Sequence, residues 1–227
     1  MSITARQLRL SFSAILTLLI LSLPLDNYFK TLLFLINWFV WLRPFSWVET
    51  VTFIIININI VIMEVQVVQK GYFSFTQPDV WGLPLWEFFM WGYFGLVSSR
   101  LCPNITFHWS SAIWALLFSS TFQFVTDQFL LFVLTLILTI SMVIHFGRSA
   151  LRIGIFALVF GCIFEWLGLA TQQWQYSHSD TVLQFPLWGL TMWAGSQIIF
   201  SHFLAPGLRL IYDKYLHGLK FGSEGRT

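Results

Sequence analysis

The most constraining feature of this chain is a series of long apolar runs, each ended by proline, glycine or a charged residue. Most runs approach the roughly 20 residues that an α-helix needs to cross a bilayer. Because backbone groups in lipid must be hydrogen-bonded within their own segment, such runs predict helices. We expect eight of them, at residues 8–25, 29–43, 47–69, 84–101, 107–124, 128–146, 150–173 and 186–206. The second run is short and is followed by Pro44, which leaves seven or eight full spans open.

The composition agrees with a membrane-embedded chain. Charged residues make up 10% and hydrophobic residues 57% of the 227 residues, whereas a soluble domain has about 25% charged residues. The net charge of +2 also excludes a basic surface for nucleic acid. We predict an all-α, multi-pass membrane helical bundle, with residues 1–227 forming a single membrane domain. Residues 207–227 are expected to form an amphipathic and then polar tail.

The positive charges are distributed asymmetrically between the two predicted sides of the membrane. With eight spans, the side that carries both termini holds Arg6, Arg9, Arg43, Arg100, Arg148, Arg152, Arg209, Lys214, Lys220 and Arg226. The opposite side holds only Lys30 and Lys70. Since Lys and Arg concentrate in cytoplasmic segments, we predict that both termini are cytoplasmic. The bias fits a bacterial inner membrane and an endoplasmic-reticulum membrane equally.

The sequence contains an internal repeat. The octet PLWEFFMW at 84–91 recurs as PLWGLTMW at 186–193, and three acidic residues recur at a constant offset of 101 positions. These acidic pairs are Asp26 and Asp127, Glu64 and Glu165, and Asp79 and Asp180. Chance recurrence of Trp and Pro is an alternative for the octets, but it does not explain the ordered acids. We predict a 4+4 duplication, with repeat one at 1–103 and repeat two at 104–206. An even number of spans per repeat makes the halves parallel, around an axis along the membrane normal.

Three glutamates fall inside the predicted helices and are the candidate catalytic residues. Glu64 and Glu165 are repeat equivalents, whereas the counterpart of Glu87 is Gly189. Ionisable groups inside a membrane are functional hypotheses by default because they are costly to bury. Apolar surroundings favour the neutral carboxylic acid, which is a proton donor. The alternative is a structural role, in which each neutral carboxyl is hydrogen-bonded to a neighbouring helix.

Polar and aromatic residues near these acids are the candidate substrate-binding residues. They are Asn57, Trp86, Trp91, Trp174, Tyr176, Trp188 and Trp193. Aromatic faces beside a buried acid stabilise a cationic intermediate, although an interfacial belt of Trp and Tyr is the alternative interpretation. Asp79 and Asp180 lie in loops and are expected to act as secondary acids that hold these loops over the cavity mouth. The scattered His and Cys residues predict no metal site, and no nucleotide or hydrolase motif is present, so we expect no cofactor.

The second half of the chain carries a pattern that resembles a known group of membrane enzymes. The pattern consists of Glu165-x-x-Gly168, then Trp174-x-Tyr176, and then Pro186-Leu187-Trp188 with Trp193. It resembles a pattern in integral-membrane carotenoid biosynthesis proteins, a family that includes the carotenoid end-group hydratases. The duplicated plan is similar to that of the small membrane lycopene cyclases. The chain is also similar in size to the fungal membrane meroterpenoid cyclases, which use acidic residues on spans as proton donors.

The resemblance implies a terpenoid or carotenoid cyclase or hydratase that protonates an isoprenoid lipid without a cofactor. The residues lead to a similar expectation, because an uncharged aromatic cavity with neutral carboxyls suits a long apolar substrate. The expected partners are therefore this lipid and the surrounding membrane lipids. Two alternatives stay open. One is a small proton- or cation-coupled transporter, and the other is a non-catalytic, lipid-binding membrane subunit. The sequence does not predict an oligomeric state.

Overall fold

A computed structural model describes residues 3–177 and 184–217, and this part of the chain is predominantly helical. The main helices are α1 (Ile3–Ser22), α2 (Asn27–Leu42), α3 (Trp47–Gln69), α4 (Glu87–Leu101), α5 (Trp109–Phe124), α6 (Gln128–Phe146), α7 (Arg148–Ala170) and α8 (Leu187–Ile199). A π-helical turn, Phe200–Leu204, connects α8 to α9 (Ala205–Ile211), and a second π-helical turn follows at Tyr212–His217. The predicted all-α fold class is confirmed.

The helix ends follow local signals in the sequence. Asp26 caps α2 by accepting a hydrogen bond of 2.9 Å from the Phe29 amide, and Asp127 caps α6 by accepting one of 2.7 Å from the Leu130 amide. Side chains of this kind satisfy amide groups that a helix leaves free in its first turn. Ser46 and Glu49 form a reciprocal capping box at the start of α3, a pairing that fixes a helix start.

The two prolines of the repeated octets do not lie in the first helical turn. Pro84 precedes α4, which begins at Glu87, and Pro186 is the N-cap residue of α8. The residues before α4 instead form a tight turn, in which Val80 and Leu83 pair as an isolated β-bridge. Pro84 follows this turn, and its carbonyl accepts a hydrogen bond from the amide of Glu87, the first residue of α4.

Four helical segments are long and apolar enough to cross a membrane: Ala5–Ser22, Trp47–Gln69, Gln128–Phe146 and Arg148–Ala170. Large apolar side chains also point outward, with Leu8, Leu116 and Ile144 being 71%, 68% and 77% exposed. Extended apolar surfaces are rare on soluble monomers. The fold is therefore compatible with a membrane protein.

A two-stranded ribbon joins the loops that follow α3 and α7. Strand β1 (Phe73–Phe75) pairs antiparallel with β2 (Trp174–Tyr176), and Ser74 lies opposite Gln175. The pairing extends at both ends, because the Thr76 amide donates to the Gln173 carbonyl and the Ser177 amide donates to the Tyr72 carbonyl. We call the part of the molecule that contains this ribbon the hairpin end.

Element bounds in the first part of the chain recur in the second part. Helices α3 and α7 each have 23 residues, and the first residue of α7 follows that of α3 by the same 101 positions that separate β1 from β2. The hydrogen bonds just after the ends of the two helices also correspond. The amides of Tyr72 and Gln173 each donate to the carbonyl five residues earlier in the chain. Ser74 and Gln175, which lie opposite each other in the ribbon, are separated by this offset as well.

The main buried core contains residues of both parts of the chain. Helix α4 packs along α3, and α8 packs along both α6 and α7. Lys30 in the first turn of α2 is buried and donates a hydrogen bond of 2.6 Å to the Gln173 side chain, so it links α2 to the ribbon. At the opposite end of the bundle, Arg100 forms an ion pair of 2.6 Å with Glu49, which joins α4 to α3.

Candidate functional site

The three predicted glutamates meet at one cavity. Glu64 comes from the hairpin half of α3, Glu87 is the first residue of α4, and Glu165 lies near the end of α7. Their exposed fractions are 7%, 4% and 5%, respectively, and all three line a cavity of about 460 Å³. This volume lies within the range of small-molecule binding sites.

Glu165 accepts hydrogen bonds from three aromatic side chains. The indole Nε1 atoms of Trp174 and Trp193 and the hydroxyl of Tyr176 donate to its carboxyl oxygens, each over 3.0 Å. Burial and the neighbouring Glu165 carboxyl raise the pKa of the Tyr176 hydroxyl well above its ordinary value. The hydroxyl therefore stays protonated and remains a donor. The three donors favour the ionised form of this carboxyl group, whereas its burial opposes ionisation.

A glycine one turn after Glu165 makes room for this arrangement. A Cβ atom on Gly168 would lie 1.9 Å from the ring of Trp174, so the ring packs directly against the backbone of α7. The close approach brings the Trp174 indole N–H within reach of Glu165. Gly168 therefore allows β2 to pack close enough to α7 for Trp174 to donate its hydrogen bond to Glu165.

Glu64 has a different environment from its repeat counterpart. Its Oε1 atom accepts a hydrogen bond of 2.7 Å from the indole of Trp91, whereas its Oε2 atom is buried without a hydrogen-bond partner. The Glu87 carboxyl lies beside it and interacts with both Glu64 and Trp91. Two neighbouring buried carboxyls do not both ionise readily.

Aromatic rings form the wall between the two carboxyl environments. The indoles of Trp91 and Trp193 stack with their ring centroids 4.7 Å apart. Phe94 and Phe164 pack against Trp193 at centroid distances of 4.9 Å and 5.5 Å. The stacked pair consists of the corresponding Trp residues of the two octets, so the two parts of the chain meet at this point.

Most of the predicted substrate-binding residues line the cavity with the glutamates. These are Trp91, Trp174, Tyr176, Trp188 and Trp193. Trp86 and Asn57 do not line it, and each has another partner. The indole of Trp86 donates to Asn27 over 3.2 Å, and the carboxamide oxygen of Asn57 accepts the Gly92 amide over 2.7 Å. Both residues therefore hold neighbouring helices together.

The two secondary acids contribute less to the site. Asp79 is exposed and accepts a hydrogen bond of 2.8 Å from the Leu85 amide, which fixes the loop before α4. Asp180 lies outside the described residues. Phe164, whose ring lies in the cavity wall and stacks on Trp174, was not among the residues predicted from the sequence. The sequence feature that could have indicated its role is its position directly before Glu165.

Apart from its carboxyls, the cavity wall carries one charged side chain among the described residues, Lys70, which is exposed at the hairpin end. In the described part of the chain, the ion pair between Arg100 and Glu49 is at the other end of the bundle, and no cation pairs with the three glutamates. No group of three or more metal-ligating side chains occurs within residues 3–177 and 184–217. The arrangement offers proton transfer and aromatic stabilisation of a positive charge.

Comparison with models of protein families, with curated proteins and with solved structures found no match to this chain.

Proposed function

We propose that this chain is a multi-pass membrane protein with eight membrane-crossing helices in a 4+4 duplicated arrangement and with both termini cytoplasmic. The corresponding bounds of α3 and α7 support the duplication, as do the paired strands and the stacked octet tryptophans. The apolar outer surface and the ten-to-two distribution of Lys and Arg support the membrane location and its orientation.

Within this frame, we propose an enzyme that protonates an isoprenoid or carotenoid lipid, as a terpenoid cyclase or hydratase. The observation that carries the proposal is the meeting of three buried carboxyls with stacked aromatic rings at one cavity. A buried acid supplies the proton that an alkene needs, and aromatic faces stabilise the resulting cation. A transporter is less well supported, because most of the cavity wall consists of aromatic and aliphatic side chains.

The surroundings of the Glu64–Glu87 pair and of Glu165 differ, and they suit these acids to different roles. Glu87 lies at the N-terminus of α4, where the helix dipole favours a negative charge. We therefore assign the proton of this pair to Glu64, whose Oε2 atom has no hydrogen-bond partner. Glu165, held by three donors, is the carboxylate that accepts a proton. Glu64 is the general acid and Glu165 the general base.

The reaction then follows from the positions of these groups. The Glu64 proton adds to one carbon of an alkene, so a C–H bond forms, the π bond breaks and a carbocation remains. In cyclisation, the π electrons of a second alkene in the same chain form the new C–C bond. Glu165 removes a proton beside the new cation and restores an alkene. Glu165 then releases this proton to water, and Glu64 takes up a proton from water before the next turnover. In hydration, water attacks the cation and Glu165 accepts its proton.

The experiment is product analysis with the protein in lipid nanodiscs, supplied with preformed geranylgeraniol, lycopene or a prenyl epoxide, in D₂O and in H₂O. A protonation mechanism places one deuterium on carbon for each alkene that is protonated. Glu64→Gln and Glu165→Gln each keep the size of the side chain but remove the acid–base group. We expect turnover to fall by ~10²–10⁴, the usual effect of losing a general acid or base.

Asp127→Asn is the matched control, because it makes the same change from acid to amide at an exposed N-cap, where Asn caps as well as Asp. Its activity should equal that of the unaltered protein. Full activity of both glutamine variants would exclude the acid–base mechanism. Ion uptake into vesicles without product formation would favour the transporter, and lipid retention without either activity would favour a lipid-binding subunit.

A further inference from the structure

The cavity is long in the direction of the helix axes. Along α3 its wall runs from Ile55 to Lys70, and along α8 and the following π-helical turn it runs from Trp188 to Leu204. At a rise of 1.5 Å per residue, the stretch of α3 measures about 22 Å. An extended chain with C–C bonds of about 1.5 Å covers this distance with about 17 main-chain carbons, or roughly four isoprene units.

The cavity wall changes in polarity along this length. Near the hairpin end it contains Gln66, Lys70 and Gln123, all of which are exposed. Beyond the carboxyls, towards the other end, the wall is mostly apolar and includes Phe203 and Leu204, with Asn59 and Ser196 as polar exceptions. The distance from Glu64 to Ile55 is about 13 Å along α3, so roughly ten carbons lie beyond the carboxyls. A ligand with one polar end and one apolar end is therefore expected to bind in one direction, with its polar end towards the hairpin end.

The cavity is open on one side of the bundle. Helix α1 packs against α7, whereas the corresponding helices α5 and α3 show no comparable packing in the described part of the chain. Residues on both sides of this gap line the cavity and are also exposed, among them Ile62 on α3, which is 55% exposed, and Ser119 on α5. The gap between α3 and α5 thus connects the cavity with the outer surface of the bundle.

We infer that the cavity binds one linear isoprenoid chain of about four units, which enters sideways from lipid between α3 and α5. Its polar end lies at Gln66 and Lys70, its apolar end lies at Phe203 and Leu204, and the double bond level with Glu64 and Glu165 is the one that reacts. Only the assignment of the reacting double bond rests on the proposed function. The binding of the chain is tested without turnover.

The probe is geranylgeraniol that carries a photoreactive diazirine at its apolar end, used on the protein in lipid nanodiscs. After illumination, peptide mass spectrometry locates the labelled residues. We expect labelling at Phe200, Phe203 and Leu204. Labelling that is confined to outward-facing positions such as Ile58, or that lies at Lys70 and Tyr72, would overturn the binding site or the direction of the chain.

Two substitutions test the length and the entrance. Ile199→Trp fills the apolar part of the cavity, so it should reduce labelling by the geranylgeraniol probe by at least tenfold and leave labelling by a geraniol probe unchanged. Leu210→Trp, on the exposed side of α9, is its control. Ser119→Trp narrows the gap and should slow the labelling rate severalfold, whereas Leu116→Trp, on an exposed face of α5 that does not line the cavity, should not.

The results for binding and for chemistry are separable. Labelling as expected, with no deuterium incorporated from D₂O, would support the chain-binding cavity and contradict the acid–base function. Deuterium incorporation that is unaffected by Ile199→Trp for every chain length would support the function and overturn the inferred cavity. Equal labelling of Ser119→Trp and the unaltered protein would overturn the lateral entrance.

Discussion

At the scale of single residues, the contrast between Glu64 and Glu165 is the main result. The two residues occupy equivalent positions in the sequence, yet Glu165 has three hydrogen-bond donors and Glu64 has one. Part of the difference arises in the ribbon, because the counterpart of Tyr176 in the first half is Phe75, which has no hydroxyl. The proposed division into acid and base therefore depends on which aromatic residues the ribbon carries.

The donors to Glu165 should affect catalysis more than stability. Tyr176→Phe removes only the hydroxyl, and a hydrogen bond to a charged group contributes about 1.5–3 kcal/mol. We expect turnover to fall by ~10-fold or more and the pH profile of the basic step to move upward, because the carboxylate becomes easier to protonate. The measurement is turnover of the prenyl epoxide against pH, together with the thermal unfolding temperature.

Phe75→Tyr is the complementary variant, since it adds a hydroxyl at the equivalent position in the first half of the chain. If Tyr176→Phe lowers the unfolding temperature but leaves both turnover and pH profile unchanged, the hydroxyl has a purely structural role and the assignment of Glu165 as base loses its main support.

The glutamates of the site were predictable from the sequence. Which of the other predicted residues line the cavity was not. Glu64, Glu87 and Glu165 are recognisable as acids within apolar runs, and the structure brings them together. Asn57 shares a helical face with Glu64, but its carboxamide binds the backbone of α4 at Gly92. Periodicity shows which residues share a face of one helix. It does not show which neighbouring helix approaches that face, or how closely.

At the scale of elements, the contact between α7 and β2 depends on Gly168. Gly168→Ala places a methyl group against the Trp174 ring, where the Cβ would lie 1.9 Å from a ring carbon. Overpacking of this kind costs about 1–3 kcal/mol, so we expect a lower unfolding temperature and a loss of the Trp174 hydrogen bond to Glu165. Thermal unfolding in nanodiscs and turnover are the two measurements.

Gly189→Ala is the control for this substitution. A Cβ on Gly189 meets its nearest neighbour, Phe185, at an ordinary 3.7 Å, and Ala is favoured over Gly in a helix by about 1 kcal/mol. The control should therefore unfold at an equal or higher temperature. If both alanine variants behave alike, the close approach of Trp174 to α7 is not the cause.

Helix positions were largely predictable, whereas the ribbon was not. The residue ranges 47–69 and 128–146 were predicted with the observed bounds, because charge, proline and capping residues mark their ends. Strands β1 and β2 have only three residues each and lie in segments that were predicted as loops. Each strand is stabilised by a partner about 100 residues away, so no local pattern reveals it.

At the scale of the whole molecule, orientation in the membrane is the property to test. Thr76 is exposed at the hairpin end, and Asn104 is exposed in the loop between α4 and α5. In a variant without Cys102 and Cys162, we expect Thr76→Cys to react with an impermeant thiol reagent from outside the cell. Asn104→Cys should react only after the membrane is permeabilised.

The reason is that α4 is the segment that separates these two positions. With 15 residues it is short for a membrane span, so this pair tests the eight-span proposal at its weakest helix. Labelling of both positions from the same side would show that α4 does not cross, and the proposed topology would have to be revised.

The stacked indoles of Trp91 and Trp193 give the protein an internal optical reporter. Two indoles with centroids 4.7 Å apart and planes inclined by 25° interact as coupled oscillators, so they produce a paired positive and negative band in circular dichroism. Both rings line the cavity, and a molecule that enters it changes their separation or tilt. The amplitude of this band therefore reports whether the cavity is occupied, without a label and without knowledge of the reaction.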